Sequence, residues 1–355
     1  MNNKETELEE NIESSSDDLY ERLAIVVDKG QEPLRIDKFL LHKVVNTSRN
    51  KIQTAIDTGM VLVNEKTIKS NYKVKPFDQI IFYSDNDPVS YEIVPEDLAL
   101  NIVFEDEHVL VINKPAGMVV HPGSGNFSGT LINGVAFHLK KQNPALDENK
   151  LPRFGMVHRI DKNTSGLIVL AKSELAAVHL AKQFFDHTVS RRYIALVWGN
   201  FEEKTGTITG HIARHQRFRK LMDVYPEGDY GKEAITHFSV LEDMKYVSLV
   251  ECRLETGRTH QIRVHMQHIG HSLFNDDVYG GDRILKGTVF TKYKQFVDNC
   301  FEICKRHALH AKSLGFIHPA TGKEMFFESE LADDMKAVIE KWRNYSNAVL
   351  ANARS

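Results

Sequence analysis

Several features of secreted and membrane proteins are scarce or missing in this sequence. Its 355 residues include only three cysteines, Cys252, Cys300 and Cys304. An odd number without paired metal-binding spacing favours reduced thiols in a reducing compartment. No apolar run approaches the roughly 20 residues that a membrane-spanning helix needs. The polar, acidic start of the chain is unlike a secretory signal, so we expect a cytoplasmic protein with no membrane contact.

The chain also lacks the net positive charge that is common in nucleic-acid-binding proteins, since its formal net charge is -3. The charges are nevertheless unevenly distributed. Residues 1–22 contain two basic and eight acidic side chains, whereas residues 33–75 contain nine basic and three acidic ones. Because a local patch rather than the net charge contacts phosphate, the second segment can still bind a nucleic acid.

Composition divides the chain into four segments. With 42% hydrophobic and 26% charged residues, the length suffices for two domains with sizeable cores. Residues 1–24 are acidic and poor in aromatic side chains, so we expect a disordered tail. Residues 25–84 are predicted to form a small domain and residues 85–96 a linker that contains acidic residues and proline. Residues 97–350 form the large domain.

The small domain has the pattern of two helices followed by strands. Apolar side chains recur at helical spacing in residues 34–44 and again in residues 52–56. Residues 61–64 predict a strand that ends in a turn at Asn64-Glu65, and residues 80–83 predict a closing strand.

Arg49 and Lys51 begin the second of these helices, where basic side chains and free backbone amides can meet phosphate oxygens. A solvated basic helix face is the alternative. The segment LRIDKFLLHKV, residues 34–44, followed by SRNKIQTAIDTGMVLVNEK, residues 48–66, resembles an S4-like RNA-binding domain. The resemblance implies that this domain binds RNA.

In the large domain, one aspartate lies in a short polar loop before an apolar strand. The segment HRIDKNTSG, residues 158–166, precedes the run from Leu167 to Leu170, which predicts a buried strand. Arg159 lies two positions from Asp161, and a nearby guanidinium favours the ionised carboxylate. Such an aspartate can act as a nucleophile or a base. The alternative is a salt-bridged loop aspartate without a chemical role.

The residues around Asp161, HRIDKNTSGLIVLAK, resemble the active-site segment of pseudouridine synthases of the ribosomal large-subunit type. Further segments resemble the same family, and together they cover roughly residues 100–345. They are VLVINKPAGMVVHPG (109–123), RRYIALVWG (191–199), LETGRTHQIRVHMQHIG (254–270) and HALHAKSLGFIHPATG (307–322).

The resemblance implies an α+β fold with a single large, mostly antiparallel, bent sheet and the active cleft along its middle. It implies that Asp161 is the catalytic residue and that Tyr193 stacks on the target uracil, although the local pattern also suits a core tyrosine. By resemblance Arg263 pairs with Asp161, with Arg258 as the rival assignment. Arg159 is expected to fill the space left by the flipped nucleotide.

Local patterns in the large domain predict strands at residues 109–113, 167–170, 193–198 and 246–254. A helix is predicted at residues 173–187, with an apolar face that contains Leu175, Val178, Ala181 and Phe185. The segment HIARHQRFRK, residues 211–220, predicts an exposed loop that contacts RNA; a solvated charged loop is the alternative. Its basic residues are Arg214, Arg217, Arg219 and Lys220.

Metal-dependent hydrolysis is a competing hypothesis. His260 and His265 are five residues apart, unlike the pair four apart of a helical zinc site, and no acidic ligand lies between them. Ser165 lacks the G-x-S-x-G turn of a hydrolase nucleophile. We therefore expect no metal and no cofactor.

We expect a uridine-to-pseudouridine isomerase that acts as a monomer on large-subunit ribosomal RNA. A synthase acting on tRNA and a catalytically idle RNA-binding or ribosome-assembly factor remain alternatives, and whether Asp161 attacks the ribose or the base stays open. One departure from the family pattern lies in residues 274–280. Relatives usually carry Gly-Asp-Pro-Val-Tyr-Gly there, and this chain has Asp277 instead of proline, which leaves the loop geometry in question.

Overall fold

Two compact units make up the fold, and the division between them falls between Glu92 and Ile93. Two short segments from later in the chain, Gly123–Phe127 and Gln216–Lys220, group with the first unit. The computed structural model describes residues 20–44, 48–84, 93–123, 126–146, 151–218, 221–288 and 290–354.

The first unit packs two helices on a small antiparallel sheet. Its elements are β1 (Tyr20–Val26), α1 (Ile36–Lys43), α2 (Arg49–Asp57), β2 (Val61–Val63), β3 (Lys66–Thr67) and β4 (Gln79–Ser84). The strand order is β1-β4-β2-β3. Apolar side chains of both helices pack against those of β2 and β4, because burying these faces removes them from water. The two predicted helices and the strands β2 and β4 are confirmed, and Asn64 and Glu65 both have the positive φ of a tight turn.

The predicted tail, residues 1–24, is wrong at its C-terminal end. Strand β1 begins at Tyr20 and pairs antiparallel with β4. The apolar run from Leu23 to Val27 supplies the reason, since it covers an otherwise unpaired edge of β4 and places Val27 in the core. The acidic residues that precede β1 led us to predict a disordered tail from composition. Residues 1–19, for which disorder was predicted, lie outside the described residues.

The second unit contains one large sheet with helices on both faces. In chain order its strands are β5 (Ile102–Glu105), β6 (Val109–Lys114), β7 (Ser165–Ala171), β8 (Ser190–Trp198), β9 (Thr205–Arg214), β10 (Met222–Tyr225), β11 (Lys232–Met244), β12 (Val247–Leu254), β13 (Leu309–Ile317) and β14 (Glu324–Glu328). Its helices are α3 (Leu131–Gln142), α4 (Glu174–Phe185), α5 (Gln261–His268), α6 (Thr291–Ile303) and α7 (Asp333–Arg354). The four predicted strands and the predicted helix of this unit are confirmed.

The strand order of the large sheet is β10-β9-β11-β12-β8-β13-β7-β6-β5, with β14 added at β13. Neighbours are antiparallel except β13 and β7, which pair in parallel through His310 with Ser165 and Ala311 with Gly166. This mostly antiparallel sheet with flanking helices confirms the predicted α+β fold. The parallel pair lies in the interior of the sheet, and the Asp161 loop leads into its strand β7.

Helix α4 buries a different face from the one predicted. Leu175, Val178 and Phe185 are each more than half exposed, whereas Ala176 and Leu180 are buried against the sheet. Ala176 and Leu180 pack with apolar side chains of β7 and β13, and Ala181 of the predicted face is also buried.

The C-terminal end of the predicted linker belongs to the second unit. Ile93 packs against its main core, the carbonyl of Val94 accepts a hydrogen bond from Asn133 Nδ2, and the Glu96 carboxylate accepts one from the Gly129 amide. Residues 93–96 therefore form part of the large domain, and the preceding residues 85–92 lie outside the described residues. No helix in the described part of the chain is both long and apolar enough to cross a membrane.

Candidate active site

Asp161 lies in the loop that leads into β7, the most deeply buried strand of the second unit. The Asp161 carbonyl accepts a hydrogen bond from the Thr164 amide at 3.1 Å, which closes a tight turn. Gly166 follows with φ of +114°, and a Cβ there would come within 2.3 Å of the Ala311 carbonyl oxygen. Only glycine permits this close approach of β7 to β13, which explains the glycine directly after the loop.

The Asp161 carboxylate pairs with Arg263 on α5. Arg263 Nη1 donates to Asp161 Oδ2 at 3.1 Å. The Asp161 side chain keeps 24% of its surface exposed, whereas Arg263 keeps 4%. Burial alone would raise the pKa of Asp161, but the charges of His260 and Arg263 hold this pKa well below its usual range. The site therefore presents an ionised carboxylate. The rival, Arg258, instead donates from Nε to the carbonyl of Glu233.

A second carboxylate, which the sequence analysis missed, fixes Arg263. Asp276 is fully buried and accepts from Arg263 Nε at 2.7 Å and from Nη2 at 2.8 Å. The two-pronged contact is therefore with Asp276, and Asp161 receives the remaining nitrogen. A planar guanidinium held at one edge can point its other edge in only one direction. Asp276 thus aims Arg263 at Asp161.

The loop that carries Asp276 forms without the family's proline. Asp276 Oδ1 accepts hydrogen bonds from the amides of Val278 and Tyr279, each at 3.1 Å, and the amide of Gly281 donates to the Asp276 carbonyl at 2.7 Å. Side-chain and backbone hydrogen bonds of Asp276 thus close the turn around Asp277.

Tyr279 lies beside Arg263, whose guanidinium carbon is 5.0 Å from the ring centroid. Its hydroxyl accepts from the Met222 amide at 3.1 Å and lies 2.9 Å from His260 Nδ1. His260 has a left-handed backbone at the start of α5. Two aromatic rings thus pack around the ion pair, which keeps water away from Arg263 and strengthens its attraction to both carboxylates.

Tyr193 lies on β8 and is almost completely buried in the main core. Burial raises the pKa of its hydroxyl, and the charge of Asp161 raises it further against the opposing charge of Arg191. Tyr193 is therefore both a core residue and a neighbour of Asp161. It stays protonated at neutral pH and can donate a hydrogen bond.

Lys114 is a fully buried residue that the sequence analysis did not single out. Its Nζ donates to the carbonyls of Pro115, Met118 and Lys162 at 2.8–3.0 Å. Burial lowers the pKa of Lys114 to about 7, while the charge of Asp161 opposes this shift. All three hydrogen bonds are donated, as in a protonated amine. Lys114 thus joins the loop after β6 to the Asp161 loop.

His158 and Arg159, which precede Asp161, differ in their surroundings. His158 Nε2 accepts from the Val169 amide at 3.1 Å, and its ring stacks on Phe184 with centroids 4.3 Å apart. Burial lowers the pKa of His158 to about 3, so this histidine is neutral. Arg159 is exposed, as a residue that contacts a ligand from outside would be.

The predicted RNA-binding residues lie in two places. In the first unit, Arg49 Nε and Nη2 donate to Asp37 Oδ2, and Arg35 makes a two-pronged contact with the same carboxylate. Asp37 is fully buried, whereas both arginines are partly exposed. The side chain of Lys51 lies outside the described residues.

The other predicted RNA-binding residues lie near the end of β9. Arg214 is the last residue of this strand, and the Arg217 guanidinium lies 5.2 Å from the centroid of the exposed Phe218 ring. Arg219 and Lys220 lie outside the described residues. Residues 211–214 thus belong to strand β9 and not to the predicted loop, and RNA contact by these basic side chains stays a prediction.

The histidines of residues 260–271 do not converge. His260 contacts Tyr279, His265 Nδ1 contacts Thr236, and His271 Nδ1 contacts the carbonyl of Trp198. Among the described residues, no group of three or more His, Cys, Asp or Glu side chains is arranged to hold a metal ion.

Most of this chain is similar to known proteins. Residues 108–268 match the family model for RNA pseudouridylate synthase, and residues 34–80 match that of the S4 domain. The chain is 46% identical over 327 residues, 92% of its length and 99% of the relative's, to an uncharacterized RNA pseudouridine synthase of Chlorobaculum parvum. It is 40% identical to the ribosomal large subunit pseudouridine synthase D of Zymomonas mobilis, with 86% of this chain and 93% of that protein covered.

Among solved structures, human RNA pseudouridylate synthase domain containing 4 superimposes with a TM-score of 0.52 at 23% identity, covering 68% of this chain and 93% of that one. This likeness supports the fold. Because the similarity to curated relatives extends over most of both chains, the chain belongs to the RNA pseudouridine synthase family, and it is an isomerase with an S4 domain.

Proposed function

We propose that this enzyme converts uridine to pseudouridine in large-subunit ribosomal RNA and that Asp161 is its catalytic carboxylate. The observation that carries the proposal is the Asp161–Arg263–Asp276 arrangement, in which a buried guanidinium aims one nitrogen at a partly exposed, ionised carboxylate. A salt-bridged aspartate without a chemical role would not need a second, fully buried carboxylate to orient its partner. The ribosomal substrate is supported by relatives named as large-subunit synthases.

In the proposed reaction, the bond between ribose C1′ and uracil N1 breaks, the base turns within the pocket, and C1′ bonds to C5. The proton on C5 leaves and N1 gains one, so the formula is unchanged and neither an oxidant nor an energy donor is consumed. Asp161 acts as a nucleophile or as the electrostatic partner of a cationic sugar. Arg263 keeps this carboxylate ionised and oriented.

Tyr193 and Arg159 are proposed to handle the displaced nucleotide. An aromatic face suits a base that has left its helix, and the protonated Tyr193 hydroxyl can bond to the turning uracil. The exposed Arg159 is proposed to occupy the space that the nucleotide leaves. Both residues flank Asp161 in sequence or in space.

RNA outside the pocket is proposed to contact two sets of basic side chains. One set is Arg49 and Lys51 with Arg35, and the other is Arg214, Arg217, Arg219 and Lys220, which follow one another at and after the end of β9 in the sequence. Charges of this kind add affinity without choosing a base. We further propose a small RNA-binding domain that ends near residue 84, a large catalytic domain through residue 350, and a monomer that acts in the cytoplasm.

The test is in vitro isomerisation of large-subunit ribosomal RNA, followed by mapping of pseudouridine. We expect the wild-type protein to modify defined uridines and Asp161→Asn to lose essentially all activity while keeping its fold. The substitution preserves size and hydrogen bonding but removes the charge, which should cost several kcal/mol of transition-state stabilisation. Asp277→Asn, which changes a neighbouring carboxylate outside the Arg263 contact, is the matched control.

Activity of Asp161→Asn within about tenfold of wild type would overturn the catalytic assignment. Modification of tRNA in place of ribosomal RNA would overturn the substrate assignment alone. Tight RNA binding with no isomerisation by the wild-type protein would favour an assembly factor.

A further inference from the structure

A second buried arginine, Arg306, also holds the Asp161 loop. Arg306 lies just before β13, and its Nη1 donates to the carbonyls of Asn163 and Leu309 at 3.0 and 2.9 Å. Its Nη2 donates to Ser165 Oγ at 3.1 Å. Two of these contacts reach residues within four positions of Asp161, so Arg306 fixes the end of the turn that Asp161 begins.

The same guanidinium is anchored to the first turn of the C-terminal helix. Arg306 Nε and Nη2 donate to the two oxygens of Asp334 at 2.7 and 2.9 Å. Asp334 Oδ1 also accepts from the Met335 amide at 2.8 Å. A carboxylate in the first turn of a helix is stabilised by the helix dipole. Helix α7 therefore supplies the fixed point from which Arg306 reaches the loop.

Two buried histidines of the same motif complete the contact. His307 Nε2 lies 2.9 Å from Thr164 Oγ1, and His310 Nδ1 lies 2.8 Å from Ser165 Oγ. Burial lowers the pKa of His307 to about 3 and that of His310 to about 4, so both rings are neutral near pH 7. They act as hydrogen-bonding partners of the loop, and Arg306 contributes the positive charge.

The donors in this network follow a consistent order. Ser165 Oγ accepts from Arg306, so its own proton can be donated to His310 Nδ1. The proton on His310 then lies on Nε2, which is 2.9 Å from Ser329 Oγ. Ser329 Oγ in turn donates to the carbonyl of Ala311. Removing the Arg306 fork would leave several buried acceptors without their donor, and the loop would shift to regain partners.

We propose that Arg306 is a positioning residue for isomerisation: anchored by Asp334, it sets the distance between Asp161 and Arg263. This inference rests on the proposed role of Asp161. The coupling is short, because the Thr164 amide donates to the Asp161 carbonyl and Thr164 is itself held by His307. A shift of the loop end therefore moves the carboxylate away from its guanidinium.

The experiment compares Arg306→Lys and Asp334→Asn with the control Arg343→Lys. Arg343 also makes a two-pronged contact with a carboxylate, that of Glu242, from the same helix α7, but this pair is exposed. Lysine at 306 keeps the charge yet cannot reach the loop carbonyls and Asp334 together. Each full-length protein is assayed for RNA affinity, for single-turnover rate at saturating RNA, and for the dependence of that rate on pH.

For Arg306→Lys we expect a rate loss of roughly 10- to 100-fold with RNA affinity within about twofold of wild type, as for a displaced catalytic group. Asp161 interacts electrostatically with Arg263, His260, His307 and Lys114 and with the hydroxyls of Tyr193 and Tyr279. Weaker contact with Arg263 brings the pKa of Asp161 back toward its ordinary value. The acidic limb of the rate profile should therefore move to higher pH. Asp334→Asn should show a smaller rate loss and a smaller shift of the acidic limb. Arg343→Lys should show neither effect.

An unchanged rate and an unchanged acidic limb in folded Arg306→Lys would overturn the proposal. So would a rate loss that matches the unfolded fraction and leaves the pH profile of the folded fraction as in wild type, because that is the behaviour of a purely structural residue. If Arg306→Lys does not fold, Asp334→Asn decides by the same two criteria. A wild-type protein that leaves uridine unmodified would refute the proposed function itself.

Discussion

Both units contain a fully buried aspartate that holds arginine side chains, but the arginines face different surroundings. In the first unit, Asp37 accepts from Arg35 and Arg49, which keep 40% and 45% of their side-chain surface exposed. In the second unit, Asp276 accepts from Arg263, which keeps 4%. The first arrangement leaves guanidinium surface open to an external anion. The second directs it to Asp161 of the same chain.

Under the proposed function, solvent exposure would separate RNA binding from catalysis in the same chemical pair. Exposed ion pairs contribute little to stability, because water screens them and the side chains lose entropy on pairing. In a buried cluster the loss of one partner leaves an unpaired charge in a poorly polarisable environment. We therefore expect substitutions at Arg263 to affect stability and chemistry, and substitutions at Arg49 to affect RNA affinity.

The largest difference is expected between Arg263→Met and Arg49→Met. Removing Arg263 leaves Asp161 and Asp276 without their shared cation, so the free energy of unfolding should fall by about 3–5 kcal/mol. Arg49→Met should change it by less than about 1 kcal/mol, because Arg35 still pairs with Asp37 and Arg49 itself is partly exposed. Urea denaturation of the two full-length variants measures both values, and similar losses would contradict the comparison.

The variant Tyr193→Phe tests the proposed role of the Tyr193 hydroxyl in isomerisation. If the protonated hydroxyl orients the turning base, this variant should bind RNA normally and turn over far more slowly. A single-turnover assay of Tyr193→Phe beside Tyr193→Ala decides. A wild-type rate for Phe with loss for Ala would leave stacking as the only role, and wild-type rates for both would remove Tyr193 from the site.

The contacts of Arg35 and Arg49 with Asp37 predict how the affinity for RNA depends on salt. Asp37→Asn frees Arg35 and Arg49 from their fixed orientation, so the affinity for ribosomal RNA should fall while the single-turnover rate at saturation stays unchanged. Arg35→Gln and Arg49→Gln should each reduce the slope of log affinity against log salt by roughly 0.7–0.9 if each contacts one phosphate. The control is Lys29→Gln, an exposed lysine outside this cluster.

A shortened chain that begins at Glu92 extends the same test. It should retain some activity on a short RNA, bind ribosomal RNA more weakly, and have a shallower salt slope. An unchanged slope would count against phosphate contact by the first unit.

The smallest expected effect concerns pH. The neighbours of Asp161 and Asp276 hold both pKa values below the ordinary one, so each carboxylate contributes stability above its unfolded-state pKa of about 3.8. That stability is lost as the pH falls through the lower, folded-state values. Between about pH 4 and pH 2 the free energy of unfolding should fall more steeply for wild type than for Asp161→Asn, and equal slopes would argue against a lowered pKa.

Local sequence patterns predicted the elements that carry the site but not the contacts that complete it. The Asp161 loop precedes a buried strand as expected, and Arg263 pairs with Asp161. Asp276 gave no local signal, because its contact depends on how the loop before Tyr279 folds back onto α5. Lys114 was missed because it donates to backbone carbonyls, which every residue has. Arg306 was missed because its side-chain partners, Ser165 and Asp334, are distant in sequence.

The face of α4 shows a further limit of sequence patterns. Its larger apolar residues, such as Val178, suggested the buried side, but Ala176 and Leu180 pack against the sheet instead. Helix periodicity shows which residues share a face, whereas tertiary packing decides which face meets the sheet. Strand β1 was missed in part because its partner, β4, follows it by more than 50 residues.

The most direct test of the account is pseudouridine mapping in ribosomal RNA from cells that lack this protein and are complemented with either wild type or Asp161→Asn at equal abundance. We expect defined pseudouridines of the large-subunit RNA to disappear in the deletion, to return with wild type, and to stay absent with Asp161→Asn. Their return with Asp161→Asn would contradict the catalytic role of the carboxylate that Arg263 and Asp276 hold in place.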